Sequence, residues 1–200
     1  MSLPASVTLR DGTRVTLRPI RPDDAAALRA MFHRLSAESR YQRFFAVFSD
    51  LSPAMLRYLT EVDGDDHLAI VAVVPGDDGE RIVGVARAVR EAGRRDVAEA
   101  AFTVADDVQR KGLGTRLLAE LASAARTRGV RRFRLEVKHD NAGMRRLAAE
   151  AGGTVVSADG AEVLLDVELC RSPARILLQL IATQTRAFFA LLAPSDRTAA

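Results

Sequence analysis

Hydrophobic and polar residues follow two recurring patterns along this chain of 200 residues. Short apolar or alternating runs bounded by turn residues are typical of β-strands, whereas apolar residues that recur every three or four positions are typical of amphipathic helices. The strand pattern predicts strands at residues 7–10, 15–18, 68–74, 81–87, 97–104, 132–138, 154–157 and 163–169. Asp11 and Gly12 separate the first two strands, which favours a tight antiparallel hairpin there.

The helix pattern predicts helices at residues 25–34, 53–61, 115–128 and 141–151, and we interpret residues 91–95 as a polar connection. The third helix has the clearest apolar stripe, which is formed by Leu113, Leu117, Leu118, Leu121 and Ala125. Strands that feed helices, followed by a closing pair of strands, are typical of the α/β class. The pattern therefore predicts a mixed sheet with helices on both faces.

We expect one domain over residues 1–170, followed by a C-terminal amphipathic helix and tail over residues 171–200. The apolar stripe of this tail consists of Leu177, Leu180, Ile181, Phe188 and Leu191. Two interpretations remain open, namely packing of the stripe on its own domain and contact with a partner helix in a homodimer. Polar residues within the tail argue against a membrane span.

The amino-acid composition argues against several classes of function. A hydrophobic content of 48% and a charged content of 28% describe an ordinary globular chain, and the net charge of +3 is small. Basic residues are interleaved with acids and lack aromatic neighbours, which argues against nucleic-acid binding. The lone Cys170 excludes an internal disulfide and residues 1–10 lack the core of a signal peptide, so we expect a cytoplasmic protein. We interpret His33, His67 and His139 as surface or structural residues and expect no metal.

A glycine-containing loop joins the fifth predicted strand to the third predicted helix. It runs Gln109-Arg110-Lys111-Gly112-Leu113-Gly114. Glycines let the backbone approach a ligand closely, and the unpaired N–H groups of the following helix start add to a site for phosphate or diphosphate. The alternative is a purely structural turn, because the spacing matches neither a Walker loop nor a dinucleotide fingerprint.

This loop resembles the acyl-CoA signature Gln/Arg-x-x-Gly-x-Gly/Ala of the GNAT superfamily of N-acetyltransferases. The strand before it, the helix after it and residues 136–144, in which Asn141 opens the next helix, also match that family. The resemblance implies the GNAT fold, with a mixed, mostly antiparallel sheet splayed at its centre, and acetyl-CoA as acetyl donor without a metal. It implies donor-binding residues at Phe102, Thr103, Val104, Gln109, Arg110, Lys111, Gly112, Leu113, Gly114, Thr115, Asn141 and Met144.

The resemblance also implies direct transfer of the acetyl group to an amine in a ternary complex. A bulge in strand 98–104 and its separation from strand 133–138 would open the slot for the thioester, and N–H groups near Val104 would stabilise the oxyanion. Glu99 matches the glutamate that many members of the family use as a base. Side chains alternate along a strand, which puts Glu99 on one face of it. Partial shielding from water there would raise the pKa of Glu99 toward the range suited to a general base. The alternative is an ordinary solvent-facing glutamate.

One position departs from the family pattern. Many members carry a tyrosine at the position of Ala148, where it protonates the leaving thiolate, and alanine has no proton to donate. Because a thiol has a pKa near 8.5, the thiolate could leave without an acid, or water could supply the proton. Tyr41 and Tyr58 are the only tyrosines in the chain.

The segment at residues 36–45 points to the acceptor. It resembles the Ser-x-x-Ser-x-Tyr-x-Arg-Phe-Phe run of bacterial Pat-type protein lysine acetyltransferases, which implies a protein lysine as acceptor. Phe44, Phe45 and Phe48 are equally consistent with core or lid aromatics. The alternatives are a small-molecule amine N-acetyltransferase and a CoA-binding regulatory module without turnover.

Overall fold

The computed structural model describes residues 3–46, 49–76 and 79–169. Within them lie the strands β1 (Ala5–Thr8), β2 (Arg14–Pro19), β3 (His67–Gly76), β4 (Gly79–Glu91), β5 (Arg94–Val104), β6 (Arg132–Lys138), β7 (Thr154–Asp159) and β8 (Glu162–Glu168). The helices are α1 (Ala25–Arg34), α2 (Ala37–Phe44), α3 (Pro53–Thr60), α4 (Leu113–Arg126) and α5 (Ala142–Glu150). Phe48, Cys170 and the predicted tail with its homodimer contact lie outside the described residues.

The strands form one sheet in the order β1-β2-β3-β4-β5-β6-β8-β7. Every neighbouring pair is antiparallel except β5 and β6, which are parallel. The sheet is therefore mixed and mostly antiparallel, as the resemblance implied. The predicted hairpin between β1 and β2 is present, with Gly12 at a φ of 87°.

The centre of the sheet is splayed between β5 and β6. These strands pair only from Val97 with Arg132 to Glu99 with Arg134, and beyond this point they separate. The predicted bulge in residues 98–104 is wrong, because the β4–β5 register is unbroken from the Gly84–Val104 pair to the Arg90–Ala98 pair. Strand β5 thus keeps its ladder with β4 and opens only on the side of β6.

Helices cover both faces of the sheet, as predicted. On one face the apolar stripe of α4 is fully buried, and a Cβ at Gly84 of β4 would lie 3.1 Å from the side chains of Leu113 and Leu117. The missing side chain lets α4 approach β4 closely. Helix α1 buries Leu28, Met31 and Phe32 on the other face, and each such side chain contributes about 1.5–3 kcal/mol to folding.

Two predicted elements differ from the structure. The apolar pattern does not predict α2, because none of its residues is buried; its start is set by Ser36, whose hydroxyl accepts a 3.1 Å hydrogen bond from the Ser39 N–H. The polar connection at residues 91–95 is wrong, since β4 and β5 extend to a tight turn in which Gly93 has a φ of 76°. Pairing between long neighbouring strands outweighs the polar composition of this turn.

Candidate active site

A cavity of about 350 Å³ lies where β5 leaves β6, between the end of β5, the loop before α4, and the first turns of α4 and α5. Most residues of the predicted donor site line it. They are Phe102, Thr103, Val104, Gln109, Arg110, Gly112, Gly114, Thr115, Asn141 and Met144. Residues that are far apart in the sequence therefore meet in one place.

Two of the predicted donor-site residues, Lys111 and Leu113, do not line the cavity. The Lys111 ammonium forms a 2.9 Å ion pair with Asp11 in the β1–β2 turn. Leu113 is 1% exposed because its side chain packs in the core beside Gly84. The side chain of Lys111 thus holds the first hairpin to the loop, and that of Leu113 anchors α4.

The cavity also contains residues that the sequence interpretation missed. They are Arg10, Ser39, Gln42, Arg43, Val108, Gly143, Arg146, Leu147 and Glu150. Leu147 and Glu150 lie three and six positions after Met144 in α5. Because residues three positions apart lie on the same face of a helix, this spacing predicts them beside Met144. No local signal indicates Arg10, which reaches the cavity because its N–H donates a 3.1 Å hydrogen bond to the Lys111 carbonyl.

The loop before α4 has the backbone geometry of an anion site. Gly112 caps α4 with a φ of 91°, and Arg110 has a φ of 61°. The N–H groups in the first turn of a helix have no acceptor within the helix and favour an anion at its N-terminus. Arg10, Arg110 and Arg146 line the same cavity, and Glu150 is the one carboxylate among the described lining residues. This end of the cavity is suited to a diphosphate.

The side chain of Gln109 fastens the loop to β5 and does not point freely into the cavity. Its amide donates hydrogen bonds of 3.1 Å to the Val104 carbonyl and 3.1 Å to Asp106. The signature glutamine therefore shapes the donor loop through its own contacts.

Glu99 lies at the point where β5 and β6 part, on the sheet face opposite to α4. Its predicted partial shielding is wrong, because the side chain is exposed. The parallel register places Glu136 two residues beyond the partner of Glu99, on the same face. Loss of hydration, the hydrogen bond to Glu162 and the negative charges of Glu162 and Glu99 together raise the pKa of Glu136. Glu99 and Glu136 thus lie close enough on this face to influence each other's charge.

Helix α2 contributes an aromatic wall beside these carboxylates. The Lys138 ammonium lies 5.2 Å from the ring centre of Tyr41 and 4.7 Å from that of Phe45, and it forms a 2.7 Å ion pair with Glu162. Phe44 turns the other way and packs edge-on against Phe32 with ring centres 5.7 Å apart. One phenylalanine of the segment thus packs against α1 in the core, and its neighbour lies beside Lys138 at the end of β6.

The structure offers no donor from position 148, because Ala148 is completely buried within α5. Tyr41 and Tyr58 are exposed and do not belong to the lining residues. The histidines lie away from the cavity: His33 pairs with Asp50 at 3.1 Å and His67 contacts Arg87. Burial, together with the charge of Arg87, lowers the pKa of His67.

The described part of the chain lacks the features of two other kinds of site. Residues 3–46, 49–76 and 79–169 contain no group of three or more His, Cys, Asp or Glu placed to hold a metal ion. In the same ranges, every helix is too short or too polar to cross a membrane.

Comparison with known proteins gives consistent matches. The model of the acetyltransferase (GNAT) family matches residues 27–152. Acetyltransferase Pat of Mycolicibacterium smegmatis is 36% identical over 166 residues, which are 83% of this chain and 49% of that protein. Acetyltransferase PA5475 of Pseudomonas aeruginosa is 36% identical over 147 residues, which are 72% of this chain and 77% of that protein. The chain thus spans about half the length of the first relative and about three quarters of the second.

Solved structures show the same architecture. The GNAT domain of S. lividans PAT superposes with a TM-score of 0.75 at 33% identity, covering 82% of this chain and 96% of that domain. A cAMP-binding acyltransferase from Mycobacterium smegmatis superposes with a TM-score of 0.59 at 33% identity, covering 90% of this chain and 54% of that one. The yncA protein of Salmonella typhimurium, solved with acetyl-CoA, shares the fold with a TM-score of 0.60 at 20% identity over 79% of this chain and 95% of that chain.

Proposed function

Because this chain belongs to the GNAT family of acetyltransferases, we propose that it transfers an acetyl group from acetyl-CoA to a lysine side chain of a protein. One observation carries the proposal. The cavity beside the glycine loop and the carboxylates around Glu99 meet at the same opening between β5 and β6. A donor in the cavity and an amine on the Glu99 side of the sheet would approach each other there.

The described residues fit acetyl-CoA as donor. The start of α4, together with Arg10, Arg110 and Arg146, offers N–H groups and positive charge to the diphosphate. The edge of β5 that faces away from β4 is unpaired beyond Glu99, so its backbone groups are available to the amide groups of the pantetheine arm. When bound, acetyl-CoA supplies a thioester carbonyl next to Thr103 and Val104.

Glu99 is the proposed base of the reaction. A lysine ammonium has a pKa near 10.4 and must lose a proton before its nitrogen can attack a carbonyl carbon. Glu99 accepts that proton, and the neighbouring Glu136 and Glu162 help to attract the cationic acceptor. As the carbon–nitrogen bond forms and the carbon–sulfur bond breaks, N–H groups near Val104 donate to the carbonyl oxygen. As the intermediate collapses, the nitrogen releases its second proton to water, and since Ala148 has no proton to give, the thiolate takes one from water.

Three features favour a protein lysine as acceptor. Helix α2 carries the segment that resembles Pat-type enzymes, and both curated relatives above are named acetyltransferases, the first of them Pat. Glu99 and Glu136 are exposed, so an extended lysine side chain on another protein can reach them. The aromatic wall of Tyr41 and Phe45 offers surface for the aliphatic part of that side chain.

A panel of acceptors with labelled acetyl-CoA tests the proposal. We expect label in the lysines of protein substrates, with little label in free polyamines or amino acids at the same amine concentration. Label in free amines alone would identify a small-molecule acetyltransferase. Binding of acetyl-CoA without any transfer would identify a regulatory module, and both results would overturn the protein-lysine assignment. The cytoplasmic location remains a prediction from the sequence.

A further inference from the structure

Arg87 is a buried cation that has no anionic partner among the described residues. It lies in β4 and is 5% exposed. Its guanidinium donates to the Leu59 carbonyl and contacts the His67 ring. In the described parts of the chain, no carboxylate lies within ion-pair distance of it. Burying a charge without a counterion is unfavourable, so this arginine needs a reason to be there.

The position of Arg87 relates it to the proposed reaction. In the β4–β5 register Arg87 is opposite Ala101, between the pairs that contain Glu99 and Thr103. Glu99, Ala101 and Thr103 therefore lie on the same face of the sheet as Arg87. The guanidinium contacts Leu59 in α3 and His67 in β3, and the Arg87 side chain lines the same small cavity as Thr103 of β5.

A second cavity of about 40 Å³ lies next to Arg87, between this face of the sheet and helices α1 to α3. Apart from Arg43, Arg87 and Thr103, its lining is aliphatic and aromatic, with Phe32 and Val85 as examples. Because a water molecule occupies roughly 10–15 Å³ by this kind of measure, the cavity has room for only a few non-hydrogen atoms.

The second cavity adjoins the donor cavity. Arg43 and Thr103 line both of them, so these two side chains form the boundary between the spaces. An acyl chain longer than acetyl, attached to a thioester beside Thr103, would extend across this boundary toward Arg87.

Electrostatics indicates what the end of such a chain would carry. Burial lowers the pKa of Arg87 to about 10, and the positive charge of Arg43 contributes to this shift. Burial also lowers the pKa of Arg43, with Glu99 as the first opposing charge. A neutral chain end would leave Arg87 without a counterion, whereas a carboxylate that reaches Arg87 and Arg43 would gain charge-assisted hydrogen bonds.

We propose that the second cavity is an acyl-chain site and that the protein uses CoA donors whose short acyl chain ends in a carboxylate, of the malonyl or succinyl class. The inference rests on the proposed acyltransferase function and concerns the donor rather than the acceptor. Glu99 takes one proton from the lysine ammonium, the nitrogen bonds to the thioester carbon and the carbon–sulfur bond breaks. The nitrogen then releases its second proton to water, and the thiolate takes a proton from water. The terminal carboxylate takes part only in binding, by accepting hydrogen bonds from Arg43 and Arg87.

The matched donors succinyl-CoA and butyryl-CoA test this site, since their acyl chains have the same number of carbons and differ in the terminal group. For the wild-type protein we expect kcat/KM to be at least about tenfold higher with succinyl-CoA, and calorimetry to show tighter binding of succinyl-CoA by a similar factor. Arg87→Met should reduce the ratio of succinyl to butyryl kcat/KM by about tenfold or more. Arg90→Met, in the same strand on the opposite face, should leave that ratio unchanged.

If Arg87→Met does not fold, Arg87→Lys and the wild-type calorimetry decide the question, because lysine keeps the charge and loses the fork of donors. Wild-type protein without preference for succinyl-CoA in binding or transfer would overturn the site. A preference that survives in Arg87→Met would overturn the role of Arg87. Acetyl transfer without preference for succinyl-CoA would leave the proposed function intact, whereas selective binding of succinyl-CoA without any transfer would contradict the proposed function alone.

Discussion

The Ser39 hydroxyl donates a 2.6 Å hydrogen bond to Oδ1 of Asp106, and this contact joins helix α2 to the loop before α4. The same carboxylate accepts hydrogen bonds from the Ser36 N–H at 2.8 Å and from the Gln109 amide at 3.1 Å. Burial would raise the pKa of Asp106, but the hydrogen bonds from Ser39 and Ser36 outweigh it and lower the pKa. One side chain thus connects the proposed acceptor wall with the donor loop.

Replacing Asp106 should therefore affect both substrates. Asp106→Ala is expected to lower the free energy of unfolding by about 1–2 kcal/mol, to raise the KM for acetyl-CoA and to lower kcat, because α2 and the Gln109 loop lose their common acceptor. Urea unfolding and steady-state kinetics measure these effects. The control is Asp107→Ala, since Asp107 lies in the same turn and, among the described residues, forms an ion pair with Arg81 on the surface. Equal effects of the two substitutions would contradict the connecting role of Asp106.

Gly112 should resist substitution because of its backbone conformation. At a φ of 91° any other residue is strained, although a Cβ there would meet only the Arg10 side chain at an ordinary 3.6 Å. Gly112→Ala is expected to lower the free energy of unfolding by about 1–2 kcal/mol and to weaken acetyl-CoA binding, as followed by urea unfolding and calorimetry. Gly114→Ala is the stability control, because Gly114 is helical and alanine favours a helix by up to about 1 kcal/mol. A stable Gly112→Ala protein with normal donor affinity would contradict this account of the loop.

Glu99→Gln should separate catalysis from donor binding. Removing a general base reduces turnover by about a hundredfold or more, while the affinity for acetyl-CoA should stay the same because Glu99 is not among the residues that line the donor cavity. Labelled acetyl transfer measures turnover and calorimetry measures affinity. Glu61→Gln, at an exposed helix end away from the cavity, should leave both at wild-type values. Unchanged turnover in Glu99→Gln would exclude Glu99 as the base.

A buried ion pair near the first hairpin should make stability depend on acidity. Arg18 is 5% and Asp24 7% exposed, and the guanidinium donates to both oxygens of Asp24 at 2.8 and 2.7 Å. Burial alone would raise the pKa of Asp24, but the hydrogen bonds from Arg18 and from the Arg21 N–H outweigh it and lower the pKa. A carboxylate with a lowered folded-state pKa stabilises the fold above its unfolded pKa, and this stabilisation is lost as the pH falls toward the folded value.

Asp24→Asn is therefore expected to lower the free energy of unfolding by about 2 kcal/mol at neutral pH, because Arg18 loses its buried carboxylate partner and keeps the more exposed carboxylate of Glu80, to which it donates at 2.6 and 2.9 Å. The difference from wild type should shrink as the pH falls below about 4, where the unfolded carboxyl becomes protonated. Urea unfolding at several pH values checks both statements. A difference that stays constant down to pH of about 2 would show that Asp24 does not titrate in this way.

Local patterns were sufficient for much of the fold and for part of the site. The stripe of Leu117, Leu121 and Ala125 identifies α4, because a helix buries one face and its period is visible in the sequence. The glycine loop predicts a donor site, because its conformation depends on residues that are adjacent in the chain. The resemblance to the GNAT family and to Pat-type enzymes, which rests on such local motifs, is confirmed by the matches reported above.

The tertiary structure decided what depends on contacts between distant segments. Arg10 lines the cavity although it lies in the β1–β2 hairpin, far from the other lining residues in the sequence. Lys111 does not line the cavity, because its ammonium pairs with Asp11 in that hairpin. Glu99 is exposed because it lies at the point where β5 separates from β6. The sheet opens there although β5 has no bulge and keeps its register with β4.

By itself, the sequence determined the order of most strands and helices, because this order depends on periodicity. It also indicated the proposed donor loop and the candidate base, because both rest on motifs of neighbouring residues. Only the folded chain decided that Arg43 and Arg87 share a second cavity and that Asp106 links α2 to the donor loop. Burial, charge compensation and hydrogen-bond partners are properties of three-dimensional proximity, and the spacing of residues along one chain does not contain them.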